Sequence, residues 1–232
     1  MAASEKNMRM LAVYHNGEEI AFISHLDIQR TLQRAMRRAQ IPLAYSQGFN
    51  PHPKLSFASA VATGQTSDCE WFEAELSSEM DPDIYMRSIN AVMPAGFYVT
   101  DAAEAPDGFG SLSALTRAAE YEIRLRVPAE PDRVAEALTD LLGGPIMMEK
   151  KTKSGVRTVD IRPEIIEASV TEAGEGEITL RVLGRLQADG GLRADMLVRA
   201  LFDRLDARGG FSVRRTAMYF AGDGFLPQMP SK

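Results

Sequence analysis

The sequence predicts an α+β protein made of two ferredoxin-like units, each a split βαβ arrangement with an antiparallel sheet and its helices on one face. Three observations predict it. The chain of 232 residues is long enough for two small domains and carries 45% hydrophobic and 25% charged residues, the balance of an ordinary globular protein. Its apolar residues alternate in some segments and recur at helical spacing in others. The order of those segments, strand, helix, strand, strand, helix, strand, occurs in both halves, with one extra strand in the second. One continuous α+β domain is the competing arrangement.

Taken in order, two short apolar runs from Arg9 to Ile23 flank Asn16-Gly17, a dipeptide that tolerates positive φ, and so predict a hairpin. Ser24 is placed to cap a helix over about 25–40, with Asp27 three residues on completing a capping box and Pro42 as the stop. Residues 43–61 read as loop and strand, and Cys69 to Leu76 as a strand with Phe72, Ala74 and Leu76 on one face. Asp81-Pro82 opens a second helix in which Tyr85, Ile89, Val92 and Met93 share a face. Pro94 and Gly96 end it, and Phe97 to Thr100 forms a strand. These elements make an N-terminal unit over 1–104.

Residues 105–119, rich in Ala, Gly and Ser and without a period, read as a linker. A C-terminal unit over 120–222 follows. Tyr121, Ile123, Leu125 and Val127 alternate with charged neighbours as a half-buried strand. Pro131 opens a helix with Val134, Leu138, Leu141 and Leu142 on one face, stopped by Gly143-Gly144-Pro145. Strands are expected at about 157–161, 165–171 and 177–184, a helix at about 192–207, and a last strand from Phe211 to Phe220. Residues 223–232 are read as a tail.

Composition narrows the chemistry. Cys69 is the single cysteine, which excludes an intrachain disulfide and a thiolate-held iron–sulfur cluster; it reads as a half-buried strand residue. Three histidines, His15, His25 and His52, supply few metal ligands, so neither a metal site nor a cofactor is expected. No Walker loop, dinucleotide fingerprint, nucleophile elbow or zinc helix occurs. No apolar run approaches the roughly 20 residues that span a bilayer, and Met1 to Met8 has no signal-peptide pattern, so a cytoplasmic protein without a membrane partner is expected.

The net charge of −6 is unevenly spread: residues 1–66 carry +3, residues 67–119 carry −8 and residues 120–232 carry −1. The excess of cations in the first segment comes from one helix. Arg30, Arg34, Arg37 and Arg38 share a face, opposite an apolar stripe of Ile28, Leu32, Ala35 and Ala39. With few acidic residues on the helix to pair with them, these arginines read either as a solvated face or as bidentate phosphate ligands. The following Tyr45-Ser46-Gln47-Gly48-Phe49-Asn50-Pro51-His52-Pro53-Lys54 is stiffened by prolines, which drive the residues before them towards extended backbone. Tyr45, Phe49 and His52 could stack nucleobases above a basic groove, with Ser46, Asn50 and Lys54 beside them; the alternative buries Tyr45 and Phe49 as anchors of the loop. Lys150, Lys151, Lys153 and Arg157 surround Ser154-Gly155 as a flexible basic turn that extends the cationic surface, and Asp160 with Arg162 reads as a local ion pair. His52 and His25 are the candidates for acid–base catalysis, although Asp27 is explained by the capping box and His25 by the first turn of the helix.

The run Ser24-His25-Leu26-Asp27, the arginines after it, and Tyr45-Ser-x-Gly-Phe-Asn-Pro-His-Pro53 resemble the signature of the radical SAM-linked protein family. Lys150-Lys151, Val159-Asp160-Ile161-Arg162-Pro163 and Arg214-Arg215-Thr216 are similar to further family features, and together the matches span about 9–220. The resemblance implies a protein encoded beside or fused to a radical SAM enzyme. This chain carries no radical SAM region and too few cysteines to hold the cluster, so such a partner acts in trans. The expected role is an accessory protein that presents RNA, or another phosphate-bearing substrate, for modification. Two alternatives stand beside it: an RNA-directed enzyme using His52, and a scaffold whose acidic segment 67–119 docks another protein.

Overall fold

The computed structural model describes residues 7–152, 155–174, 176–187, 190–222 and 226–228. It divides the chain into two compact units, 1–116 and 117–232.

In the first unit the alternating run Met8–Asn16 forms β1, and a 3-10 turn at Glu18–Ile20 leads to helix α1, His25–Arg38. Then come β2 (Leu55–Phe57), β3 (Thr66–Leu76), α2 (Pro82–Asn90), β4 (Phe97–Glu104) and the one-turn α3 (Leu112–Leu115). β1 lies between β3 and β4, antiparallel to both, and β2 pairs antiparallel with β3. The hairpin expected at Asn16-Gly17 does not form. Both edges of β1 are taken by β3 and β4, Gly17 keeps an extended backbone with φ −77°, and its N–H donates to Gly96 O at 2.8 Å. The turn signal of the dipeptide is overridden by these long-range ladders.

Period-two alternation puts Met8, Met10, Ala12 and Tyr14 of β1, with Phe72, Ala74 and Leu76 of β3, on the covered face. Ile28, Leu32, Ala35 and Met36 of α1 and Tyr85 and Ile89 of α2 complete that core. Tyr14 stacks on Phe97 with ring centroids 4.5 Å apart. α1 stops three residues short of Pro42: Gln40 takes a left-handed φ of 57°, Gln40 N–H donates to Arg37 O and Ile41 N–H to Met36 O, the paired bonds of a Schellman end. Within the stretch 105–119 the chain forms α3 and the first residues of the next strand.

The second unit contains β5 (Thr116–Arg126), α4 (Pro131–Leu142), β6 (Met147–Thr152), β7 (Gly155–Asp160), β8 (Ile165–Gly174), β9 (Glu177–Gln187), the two-residue β10 (Gly190–Gly191), α5 (Ala194–Leu205) and β11 (Gly210–Phe220). β9 pairs with β5, β8 and β10, and β5 lies next to β11. α4 packs on α5 and on β8. Tyr121, Ile123 and Leu125 are buried as their alternation requires, together with Val134 and Leu138 of α4 and Leu197, Val198 and Leu201 of α5.

β6 and β7 form a separate two-stranded ladder in which Lys150 faces Arg157, and the residues read as the centre of a flexible basic turn, 153 and 154, lie outside the described residues. A charged strand on a two-stranded ribbon has no buried face to impose alternation, which hid β6 from the sequence. The expected Asp160–Arg162 ion pair is also replaced. Asp160 Oδ1 accepts from the backbone N–H groups of Ile146 and Arg162, and the Arg162 guanidinium donates to Leu142 O and Ile165 O. No helix among the described residues is long and apolar enough to cross a membrane.

Candidate nucleic-acid interface

α1 is built to present cations. Its N-cap Ser24 accepts from Asp27 N–H at 3.2 Å and its hydroxyl donates to Asp27 Oδ2 at 2.7 Å. Burial of Ile28, Leu32, Ala35 and Met36 fixes the rotation of the helix and leaves Arg30, Arg34, Arg37 and Arg38 exposed.

The four arginines are not equivalent. Arg30 donates to Asp27 Oδ1 at 3.1 Å, so the helix does supply an acidic partner for one of them. Arg38 bonds the carbonyl of Val92. Arg37 lies 5.9 Å from the Tyr45 ring centroid and its Nε donates to the Tyr45 hydroxyl at 3.3 Å. Arg34 has no hydrogen-bond or ion-pair partner among the described residues, and it helps hold the Asp27 carboxyl below its ordinary range, behind the Ser24 and Arg30 hydrogen bonds.

The segment after α1 is a narrow hairpin rather than an irregular loop. Leu43 bridges to Leu76 and Tyr45 to Pro53; Ser46 N–H donates to His52 O at 2.9 Å, and Lys54 N–H to Ala44 O at 2.9 Å. Ser46 Oγ lies 2.8 Å from His52 Nδ1 and accepts from His52 N–H at 3.1 Å. Lys54 Nζ pairs with Glu75 Oε1 at 2.8 Å. Two rungs therefore tie the base of the hairpin, and Asn50 and Phe49 sit exposed at its tip.

The reading of Tyr45 and Phe49 as buried anchors does not fit. Tyr45 is 38% exposed and Phe49 fully so. The anchors are Leu43, Ala44 and Pro53, which are buried and flank the polar segment. His52 is exposed and held by Ser46.

His25 is half-buried, its ring 4.7 Å from that of Phe57 in an edge-on contact, and its Nδ1 is buried without a hydrogen-bond partner. Burial lowers its pKa, against an opposing pull from Glu70. That is the environment of a packed first-turn residue. Sequence reasoning missed Phe22 and Leu26, both more than half exposed beside the helix start; two large apolar residues flanking a polar N-cap were the available signal.

Lys150 and Arg157 lie in the second unit, opposite one another on β6 and β7. Lys151 is opposite Val156, Lys153 lies outside the described residues, and the Lys151 side chain is likewise not described. Beside this ladder is a groove of mixed charge whose lining includes Lys150, Arg193 and Arg199 together with Glu149 and Asp203. Among the described residues no group of three or more His, Cys, Asp and Glu converges as metal ligands.

The chain belongs to the family described as uncharacterized protein conserved in bacteria (DUF2344), whose model matches residues 9–193. No curated protein matches it. Among solved structures it is similar to a crystal structure of a Cbf5-Nop10-Gar1 complex, at 12% identity and a TM-score of 0.52, covering 96% of this chain and 52% of the other. It is also similar to a structure of an H/ACA RNP bound to a substrate RNA containing 2'-deoxyuridine, at 12% identity and a TM-score of 0.48, covering 96% and 51%. The chain thus spans about half the length of these two chains, and at 12% identity the likeness to the first concerns the fold alone.

Proposed function

We propose that this family member is a substrate-presenting protein that holds single-stranded RNA on the cationic face of α1 and offers it to a radical SAM enzyme acting in trans in the cytoplasm. The observation that carries the reading is Arg34, an exposed guanidinium with no protein partner among the described residues, set between Arg30 and the Arg37–Tyr45 pair. A planar guanidinium presented in this way suits bidentate phosphate contacts, and a row of them suits a phosphate backbone. The partner is supported by the resemblance of the Ser24–Asp27 and Tyr45–Pro53 segments to the radical SAM-linked family, and by a single cysteine, too few ligands for these 232 residues to hold the cluster themselves.

The strand orders also support the ferredoxin-like reading of both units. In the first, β4, β1, β3 and β2 lie side by side, and in the second β11, β5, β9 and β8 repeat that order with the β6–β7 hairpin inserted after the first helix.

The test is a titration of single-stranded RNA over a salt series. Each phosphate contact contributes about −0.7 to the slope of log affinity against log salt. Arg34→Gln removes a contact without breaking an intramolecular one and keeps helix propensity, so its slope should be shallower by about 0.7 than that of wild type. Equal slopes, or no RNA binding by wild type at low salt, would overturn the reading. Co-purification from native extract tests the partner, and repeated recovery without a radical SAM enzyme would count against it.

A further inference from the structure

We propose that Phe49 is the residue of this site that stacks on a base of the bound RNA; the inference rests on the single-stranded reading above and names the side chain that engages the unpaired bases. Tyr45, Phe49 and His52 are equally good stacking candidates by residue type, but the structure separates them. The Tyr45 ring is already taken by the Arg37 guanidinium, and the His52 ring is tied to Ser46. Both belong to the rungs that hold the hairpin together. Phe49 makes no such contact and stands at the tip with a relative exposure of 106%.

The tip is shaped to keep the ring bare. Gly48 turns the chain with φ 128°, and a side chain added there would meet no atom within 4 Å. Pro51 restricts the backbone on the other side, so the ring is displayed from a stiff arm. An apolar ring fully in water is unfavourable unless another surface covers it, and the surroundings say what that surface is. From Gln40 to Leu55 there is no acidic residue, Arg37 lies against the Tyr45 ring, and Arg34 is exposed three residues before it on α1, while Lys54 is paired with Glu75. An occupant with negative charge along its length and flat apolar faces matches both features. In a duplex those faces are stacked on one another and only edges and phosphates are offered, whereas an unpaired strand exposes its bases to an aromatic side chain.

The experiment compares wild type with Phe49→Ala and Phe49→Trp on three probes: an unstructured RNA oligonucleotide, an RNA duplex of equal length and inorganic polyphosphate. Phe49→Ala should weaken binding of the unstructured oligonucleotide roughly 5- to 100-fold, the range for loss of one stacked base, and leave its salt slope unchanged. Its affinity for duplex and polyphosphate should stay within about twofold of wild type, since phosphates alone hold those probes. Phe49→Trp should retain oligonucleotide affinity and show quenching on binding above the background of Trp71. Wild-type affinity in Phe49→Ala, or equal losses on all three probes, would overturn the assignment. If Arg34→Gln lowers the salt slope while Phe49→Ala changes nothing, the stacking inference fails and the phosphate reading stands. If Arg34→Gln leaves the slope unaltered, both fall.

Discussion

Arg37 and Tyr45 fasten the hairpin to the cationic helix: the guanidinium carbon lies 5.9 Å from the ring centroid and Nε donates to the hydroxyl at 3.3 Å. An exposed contact of a guanidinium with an aromatic face contributes about 0.5–1 kcal/mol. Tyr45→Phe keeps the ring and removes only the acceptor, so its stability in urea unfolding should fall by less than about 0.5 kcal/mol. Tyr45→Ala loses the ring as well and should cost about 0.5–1 kcal/mol more. Equal losses in the two variants would show that the hydroxyl, not the ring, secures the hairpin.

Ser24 closes the start of α1, and its replacement by Ala should cost about 1 kcal/mol, the usual worth of a side-chain N-cap. The same substitution reports on Asp27, whose carboxyl is held below its ordinary range first by the Ser24 hydroxyl and then by Arg30. A carboxylate depressed in the folded state contributes stability above its unfolded pKa and loses it as pH falls through the folded value. That contribution is therefore present at neutral pH, where the loss in Ser24→Ala combines the cap with the Asp27 hydrogen bond, and the difference between variant and wild type should narrow as pH falls into the acid range. An NMR titration should show the Asp27 midpoint rising in Ser24→Ala, and an unmoved midpoint would assign the shift to Arg30.

His25 has the opposite sense. Burial lowers its pKa, with Glu70 pulling against it, so the folded protein holds the imidazole neutral below the pH at which an unfolded histidine takes a proton. The unfolded state then binds more protons between the two values, and stability falls as pH drops from about 6.5 through that window. Above it, His25 contributes no pH dependence. His25→Gln should make the unfolding free energy flatter between pH 7.5 and 5 than in wild type. Parallel curves for the two proteins would place the titration elsewhere.

Much of the scaffold was legible in the sequence because burial imposes a period. Tyr121, Ile123 and Leu125 alternate because one face of β5 is covered, and Ile28 and Leu32 with Ala35 fix the inward face of α1. Asp81-Pro82 marked the start of α2 for a local reason, since the Asp81 carboxylate accepts from Asp83 and Ile84 N–H. What failed was local signal without burial, or against long-range pairing. Asn16-Gly17 favoured a turn that the β3 and β4 ladders refuse, and β6 is a charged strand paired only with β7. In the candidate site, residue types were readable but their partners were not. Nothing in the spacing of Arg34 and Arg37 says that one meets Tyr45 across eight residues and the other meets no one among the described residues.

The register of β6 and β7 sets Lys150 directly opposite Arg157, and neither has an acidic partner among the described residues. Like charges facing each other across an antiparallel pair destabilise it, and opposite charges stabilise it by roughly 0.2–1 kcal/mol. Lys150→Glu should therefore tighten the hairpin by about 0.5 kcal/mol, read as slower amide exchange along the β6–β7 ladder. Salt supplies the sign check, because exposed charges are screened within a Debye length of about 8 Å at physiological ionic strength. Added salt should slow exchange in wild type, where it relieves repulsion, and speed it in Lys150→Glu, where it weakens attraction. Lys150→Gln should show no salt response, since it leaves Arg157 facing a neutral side chain. The same trend with salt in all three proteins would mean that the facing cations do not limit the stability of the β6–β7 ladder.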